Sequence, residues 1–445
     1  MRQNLLETYS RQLKVAEAYV AKTFDGKQVS NNTKLTTAVL LDNTNRWITE
    51  SLNSEIGATT RGDLGAWKKF CLNLTNIAVP SLIANDLVIV HPMTSFSGSI
   101  AYLKYVTLTD KGDMAKNTEL NSVFGLGEGG AKRTNYTSQV IVETVGDDGV
   151  LMFADTLIEK GFKVIEKDEN GKETVAEYTY KVNGEYTNTA PVAGDKVAYK
   201  CGDFQMETTP ATKIPSIGPK MERIALVAEP RRIAVKYDQI TAFQAKTDYG
   251  FSLDKQIAEQ ACGELAYEID TEIVNMLYEA AFAHKDAEGA EEVLTWSKTL
   301  PVGVSKFEHY NGFLEVIEEA RMVIYNRTKK FHPNYMVIAS NILPVLKFVN
   351  GFSAVKAGKM NGPYKVGSID GLDVYVSPEL AAGDFFLGLN GSDMMSSAGV
   401  YAPYMAIVPT QLLGTPDGGL AQGFSTWYAK ALLNKNLLVA GRITD

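Results

Sequence analysis

Cysteine and histidine are scarce in this chain, and their scarcity excludes more chemistry than any motif brings in. The cysteines, Cys71, Cys201 and Cys262, are scattered and never in C-x-x-C spacing. An odd count without ligand spacing argues against a disulfide framework or a zinc site and fits a reducing compartment. His91, His284, His309 and His332 lie in unrelated contexts, none in an H-E-x-x-H motif or beside paired carboxylates. No G-x-S-x-G nucleophile elbow occurs. Long apolar runs are missing too. The most apolar stretch, 77–90, is interrupted by Pro80, Ser81, Asn85 and Asp86 and is too short and too polar to span a bilayer. The opening MRQNLLETYSRQ lacks the apolar core of a secretion signal. Positive charge is also short. The chain has 44 Lys and Arg against 52 Asp and Glu, a net −8, which argues against a dedicated nucleic-acid binder. A soluble intracellular protein with no cofactor, no metal and no membrane is expected.

What is present is length and pattern. At 445 residues the chain should hold two or three units, each able to bury a core, and its 45% hydrophobic content is ordinary for a globular protein. Its longest helical signal runs over 252–284. Leu253, Ile257, Ala261, Leu265, Ile269, Ile273 and Leu277 recur every four residues and form one apolar stripe. Ser252 suits the N-cap, and Lys255, Glu259, Asp270 and Glu279 are expected on wet faces. A helix of that length, roughly 48 Å at 1.5 Å per residue, suggests a beam with layers packed across it.

The rest of the chain is mixed. Residues 1–24 read as an amphipathic helix broken by Gly26, Asn31 and Asn32, and a second helix follows over about 34–52. Neither has an obvious core of its own, so both should pack on something else. Residues 1–40 carry six basic side chains and three acidic ones, leaving the remainder at −11. Gly57, Gly62 and Gly65 loosen the next stretch, and 100–108 alternates as an exposed strand would. Residues 137–204 are dense in short strands, with hairpin dipeptides at Asn170-Gly171 and Asn183-Gly184 and a further turn at 147–149. Residues 222–246 are expected to be extended and to lead straight into the long helix. Further on, a helix is expected over about 313–327, a buried strand at 335–339, a short helix from Ser340-Asn341 through Val349, and strands near 372–376, 385–389 and 400–408. Two closing strands follow. The class is α+β.

Each candidate site has a plain structural explanation. The glycines at 125, 127, 129 and 130 suggest a phosphate loop, but Ala131 stands before Lys132 where a Walker loop needs glycine, and no strand-then-helix frame is evident. A loop tip explains them. Asp147-Asp148 and Asp168-Glu169 fall in turns and should be solvated. Arg231-Arg232 opens an alternating strand and could grip a neighbouring acidic surface or guard an edge strand. Asp86, His91 and Asp238 are the least implausible hydrolase trio, and their spacing fits no general acid/base template.

Stretches spread in order from residue 38 to residue 428 resemble the major capsid proteins of large contractile-tailed double-stranded DNA bacteriophages. PSLIANDLVIVHPMTSFSGSIAYL is similar to the family's opening of a projecting loop. Asp86, Pro92, Met93, Thr94, Gly98 and Tyr102 match, and His91 stands where glutamine is usual. AVLLDNTNRW resembles a Leu-Leu-Glu-Asn helix with Asp42 for glutamate. VAEPRRIAVKYDQ resembles the returning strand, and Tyr249-Gly250 followed by ELAYEIDTEIV resembles the entry to a spine helix. SSAGVYAPYMAI and GFSTWY resemble closing motifs, with Trp427 for arginine.

The resemblance implies the Hong-Kong-97-type shell fold. Its parts would be an N-terminal arm at 1–75, the start of a peripheral domain and an outgoing loop strand at 76–135, and an inserted β domain at 136–215. A returning loop strand would follow at 216–252, a peripheral domain with its spine helix 253–284 at 253–333, an axial domain at 334–420 and closing strands at 421–445. It implies hexamers and pentamers enclosing double-stranded DNA held by weak contact, with portal, scaffold and decoration or vertex proteins as partners. Gly125, Gly127, Lys132, Arg133, Arg231 and Arg232 would touch neighbouring subunits. Family members often lose an N-terminal segment after an apolar-x-Glu site, which Ile48-Thr49-Glu50 would fit. Because the sequence starts at Met1, no cleavage there is expected. An encapsulin-like nanocompartment shell is the alternative within the same fold, and a hydrolase the alternative outside it.

Overall fold

The computed structural model describes residues 2–23, 29–53, 72, 75, 79–80, 82–108, 116–117, 139–144, 162–167, 173–179, 181–182, 185–186, 196–201, 216–248, 250, 253–285, 292–328, 330–355, 362–410, 413–414 and 419–444. The chain divides into two compact units, one of Met1–Tyr102, Val123–Gly125 and Arg223–Asp445, the other of Leu103–Ser122 and Leu126–Glu222.

The first unit begins with helices α1 (Arg2–Thr8), α2 (Ser10–Thr23) and α3 (Asn31–Asn53). The single helix expected over 1–24 is therefore two, with Tyr9 between them. Asn31 and Asn32 do not break the chain but start α3. The reason is the residue before them: the Ser30 hydroxyl accepts the Thr33 N–H at 3.1 Å and caps the first turn. A one-turn helix α4 (Ala84–Leu87) leads into β1 (Ile89–Val90).

Strands β2 (Ser97–Thr107) and β9 (Ile217–Val227) form a two-stranded sheet of their own. Ala228 N donates to Phe96 O at 2.8 Å and Leu108 N to Ser216 O at 2.9 Å, so the pair runs antiparallel. Within the second unit lie β3 (Gln139–Thr144), β4 (Phe162–Lys167), β5 (Glu173–Thr179), β6 (Lys181–Val182), β7 (Glu185–Tyr186) and β8 (Lys196–Cys201). They form a four-stranded sheet of order β3-β8-β4-β5 and a small β6-β7 pair. The antiparallel pairs β4-β5 and β6-β7 flank Asn170-Gly171 and Asn183-Gly184. Those dipeptides, like the turn at 147–149, lie outside the described residues.

After β10 (Glu229–Asp238) comes α5 (Gln239–Asp248), so 239–246 is helix where an extended chain is expected. Polar positions interleave with Ile240, Ala242, Phe243 and Ala245 there, and that spacing serves a helix as well as a strand. Gly250 at φ +71° then turns the chain into α6 (Leu253–Phe282), about 45 Å long. Its expected cap, Ser252, lies outside the described residues. There follow β11 (Val293–Ser297), α7 (Lys306–Asn311), α8 (Phe313–Thr328), β12 (Tyr335–Ala339), α9 (Leu343–Leu346), β13 (Phe352–Ala354), β14 (Tyr364–Ile369), β15 (Leu372–Ser377) and β16 (Asp384–Gly388). The chain ends with β17 (Gly399–Pro409), β18 (Leu413–Gly414), β19 (Gly419–Leu432) and β20 (Leu438–Thr444). The helix expected through Val349 stops at Leu346, and β11, β13 and β14 carry too little alternation to be expected.

Two sheets make the body of the first unit. One has the order β1-β17-β19-β10, with β18 beside β19; the other has the order β11-β20-β16-β12-β15-β14-β13. The long helix serves both. Ala258, Ala261, Cys262 and Leu265 pack on Phe424 and Ile407 of the first sheet, with Ile233 and Val235 at the margin. Ile269, Ile273, Val274, Leu277 and Ala281 enter the main core with Phe313, Ile317, Phe385 and Phe386. The stripe repeating every four residues drifts around the helix and so meets two different layers. The other face of the first sheet is covered by α3: Ile48 packs on Met405 and Val408, and Leu40 on Ala406. The N-terminal helices thus find their core on the sheet, as helices without their own must.

Candidate functional site

The separated stretches of the chain meet at polar nodes. On α3, buried Asn43 donates its side-chain N–H groups to Met93 O and to Tyr404 O, both at 2.8 Å. One amide therefore ties the first helical motif to the His-Pro-Met-Thr turn and to the Ala-Pro-Tyr-Met strand. Each carbonyl it satisfies would be costly to leave unpaired in so apolar a setting.

A second node sits on α6. Asp270, expected to be wet, is buried, and its two carboxylate oxygens accept the N–H groups of Ile83 (3.2 Å) and Ala84 (3.0 Å) at the start of α4. Asp270 is four residues before Val274, on the apolar side of the helix, and that position was the available signal. Two residues later Glu272 receives Arg231 Nη2 at 2.8 Å, Lys430 Nζ at 3.0 Å and the Tyr428 hydroxyl. Burial pushes the Glu272 carboxyl up, but the Tyr428 hydroxyl, Arg231 and Lys430 outweigh it and hold the group down at about 2. Farther along, the Tyr278 hydroxyl donates to Asp384 at 2.6 Å, and Arg442 Nε reaches the same carboxylate at 2.6 Å. Burial and that carboxylate push the Tyr278 phenol up to about 12. Three polar side chains of one helix thus anchor α4, β10 with β19, and β16 with β20. This arrangement fixes the strands and the short helix against α6.

Arg231 is committed to this node, with its guanidinium also 5.4 Å over the Tyr428 ring. Arg232 points to the opposite side of the strand, 5.7 Å over the Trp427 ring. Gly125, Gly127, Lys132 and Arg133 lie outside the described residues, as do Asp147-Asp148 and Asp168-Glu169. The hydrolase trio is not brought together. His91 follows β1 at one edge of its sheet, level with Tyr401 and so with Lys430, while Asp238 ends β10 at the other edge opposite Gly419. They are separated by roughly 14 Å across the strands and about 36 Å along them. Asp86 accepts the Tyr375 hydroxyl instead. Among the described residues no cluster of metal-ligating side chains is found, and no helix is long and apolar enough to cross a membrane.

The paired strands β2 and β9 expose apolar side chains. Leu103, Tyr105, Ile217, Met221 and Val227 all face water. A sheet of only two strands is marginal in water, and apolar side chains on it call for a cover.

The family model for the major capsid protein Gp23 matches residues 64–443. The chain belongs to this family. The major capsid protein of Enterobacteria phage T4 is 22% identical over 396 residues, 80% of this chain and 73% of that protein. That of Enterobacteria phage T6 is 22% identical over 398 residues, 80% of this chain and 76% of that one. A solved chain from Microbacterium phage Oxtober96 is 12% identical with a TM-score of 0.39, covering 82% of this chain and 90% of its own. The α+β class is read from the chain's own helices and strands. Family membership makes this subunit a major capsid protein of a tailed phage. It is a structural protein of the virion shell, not an enzyme, and its copies assemble into shell oligomers.

Proposed function

We propose that this major capsid protein has the Hong-Kong-97-type shell fold and gathers into hexamers and pentamers of a head that encloses double-stranded DNA. The observation that carries it is the β2-β9 sheet, whose exposed Leu103, Tyr105, Ile217 and Met221 need a neighbouring copy to bury them. In this scheme 1–75 is an arm, 253–333 the peripheral domain on its spine helix and 334–420 the axial domain, with the β module of 136–215 inserted in the projecting loop. Gly125, Gly127, Lys132 and Arg133 meet a neighbour. Arg232 joins them, and Arg231 contributes indirectly by stiffening the strand they share. Packaged DNA is met by weak, non-specific contact, since a net charge of −8 neutralises few phosphates. Portal, scaffold and decoration or vertex proteins are the further partners, and assembly takes place in the host cytoplasm.

The test is a double variant, Leu103→Glu with Met221→Glu, made in the full chain. Sedimentation and electron microscopy should show subunits that keep their circular dichroism yet form no particles. Wild-type particle yield from the variant would remove the sheet from the interface. A native chain that stays monomeric under every assembly condition would overturn the shell proposal itself.

A further inference from the structure

A second surface carries apolar side chains into water, and it is built differently from the paired strands. Residues 297–308 are exposed without interruption. Leu300, Val304 and Phe307 are 45%, 37% and 50% exposed, and Val302 at the tip is fully so. The loop is nonetheless held by hydrogen bonds at both ends and across its turn. Lys298 N donates to Thr444 O at 2.7 Å, and Thr299 N to Ser297 Oγ at 3.2 Å. Pro301 fixes one φ, Val304 N returns to Pro301 O at 3.3 Å, and Gly303 takes φ +91°, which a side chain would resist. Ser305 and Glu308 then close a reciprocal capping box at the start of α7. At the base His309 stacks on Trp296 with ring centroids 4.9 Å apart and meets Ser297 O at 2.9 Å. Lys306 lies over the rings of Tyr310 and Phe348. A loop left apolar by chance would not be held so tightly. Ordering a displayed apolar tip in advance lowers the entropy lost when it is covered.

The same chain offers a complementary surface. Glu315, Glu319, Met322 and Tyr325 lie within one arc of α8, all exposed. Tyr325 is held by face-to-face stacking on His332, with centroids 4.9 Å apart and planes within 4°. Glu315 and Glu319 form no ion pair among the described residues. The loop is apolar with Lys298 and Lys306 at its flanks; the stripe is apolar with Glu315 and Glu319 at its end. We propose that the 298–307 loop of one subunit docks on the outer stripe of α8 in a second copy. Val302 and Leu300 cover Met322 and Tyr325, and the lysines face the glutamates. Because the two surfaces differ, the contact is head-to-tail and generates a ring where the rotation between copies closes. It rests on the shell function above and adds an interface separate from the β2-β9 sheet.

The experiment places benzoylphenylalanine at Val302 in assembled native particles, irradiates them and maps the linked peptides by mass spectrometry. Covalent dimers joined to a peptide spanning residues 315–325 are expected. Links only within one chain, links to another segment, or no links in intact particles would overturn the docking. In parallel, Val302→Asp should leave the melting temperature of the free subunit unchanged and lower particle yield at least about tenfold. If native and Val302→Asp chains both assemble equally well, the loop contact fails and the shell function stands. If the native chain never assembles, the shell function fails and this contact with it.

Discussion

Arg231 Nη2 lies 2.8 Å from Glu272 Oε1, joining an edge strand to the longest helix among the described residues. The carboxylate is also held by Lys430 and the Tyr428 hydroxyl, so one acid on α6 binds two strands of the same sheet. That relation sets an acid limit on the subunit.

Glu272 has an ordinary value of 4.5 and sits at about 2 in the folded chain. A carboxyl whose folded value is depressed stabilises the fold fully above its unfolded value, and that contribution disappears as pH falls through the folded one. The window here is therefore pH 4.5 down to 2. Glu272→Gln should lower subunit stability by about 1–2 kcal/mol at pH 7, the partial exposure of Arg231 screening the pair. The difference from the native chain should vanish near pH 2. Urea denaturation across that range checks it, and a pH-independent difference would exclude the ionic explanation.

His284 gives a second, milder pH response. Burial, and then the nearby Arg327 charge, push its imidazole below the ordinary 6.5, while its contact with Lys435 O opposes them. The unfolded chain then takes up a proton more readily than the folded one. Stability should be complete above pH 6.5 and should fall as pH drops toward the lower folded value. His284→Gln should flatten that part of the stability profile, read by thermal melts between pH 5 and 8, a range set by imidazole titration.

Ile48 is fully buried between α3 and β17, against Met405 and Val408. Ile48→Ala should cost about 2–4 kcal/mol. The helix also bears on processing at Ile48-Thr49-Glu50. A protease needs an extended, accessible segment, and here the residues are helical with the isoleucine inside. Limited digestion of the native subunit with a glutamate-specific protease should leave the bond after Glu50 intact. Ile48→Ala should speed its cleavage. Equal rates for the two would show that α3 does not protect the site.

Gly383 adopts φ +88°, and a Cβ there would sit 2.4 Å from Ile443 O. The carbonyl is fixed because Ile443 N donates back to Gly383 O at 2.7 Å. Gly383→Ala should destabilise the subunit by about 2–4 kcal/mol through both strain and overlap. Gly371 has φ +78° with open space around it, so Gly371→Ala should cost only about 1 kcal/mol. Comparing the two melts separates close approach from backbone strain.

Periodicity and punctuation determined much of this protein. The four-residue repeat from Leu253 to Leu277 fixed the long helix, continuous apolar runs fixed β12 and β17, and paired Asn-Gly dipeptides marked the hairpins of the β module. Those signals are local: they depend on side chains one turn or one pleat apart, which a linear sequence displays. The order of the motifs between residues 38 and 428 also pointed to the capsid family. What tertiary structure alone decided was which separated residues meet. Asn43 bridging Met93 and Tyr404, Asp270 capping α4 and Glu272 collecting Arg231, Tyr428 and Lys430 join residues up to 361 positions apart. In the sequence each looks like an ordinary solvated polar residue. Only burial, which removes water as a competing partner, turns them into anchors, and burial is a property of the packed layers.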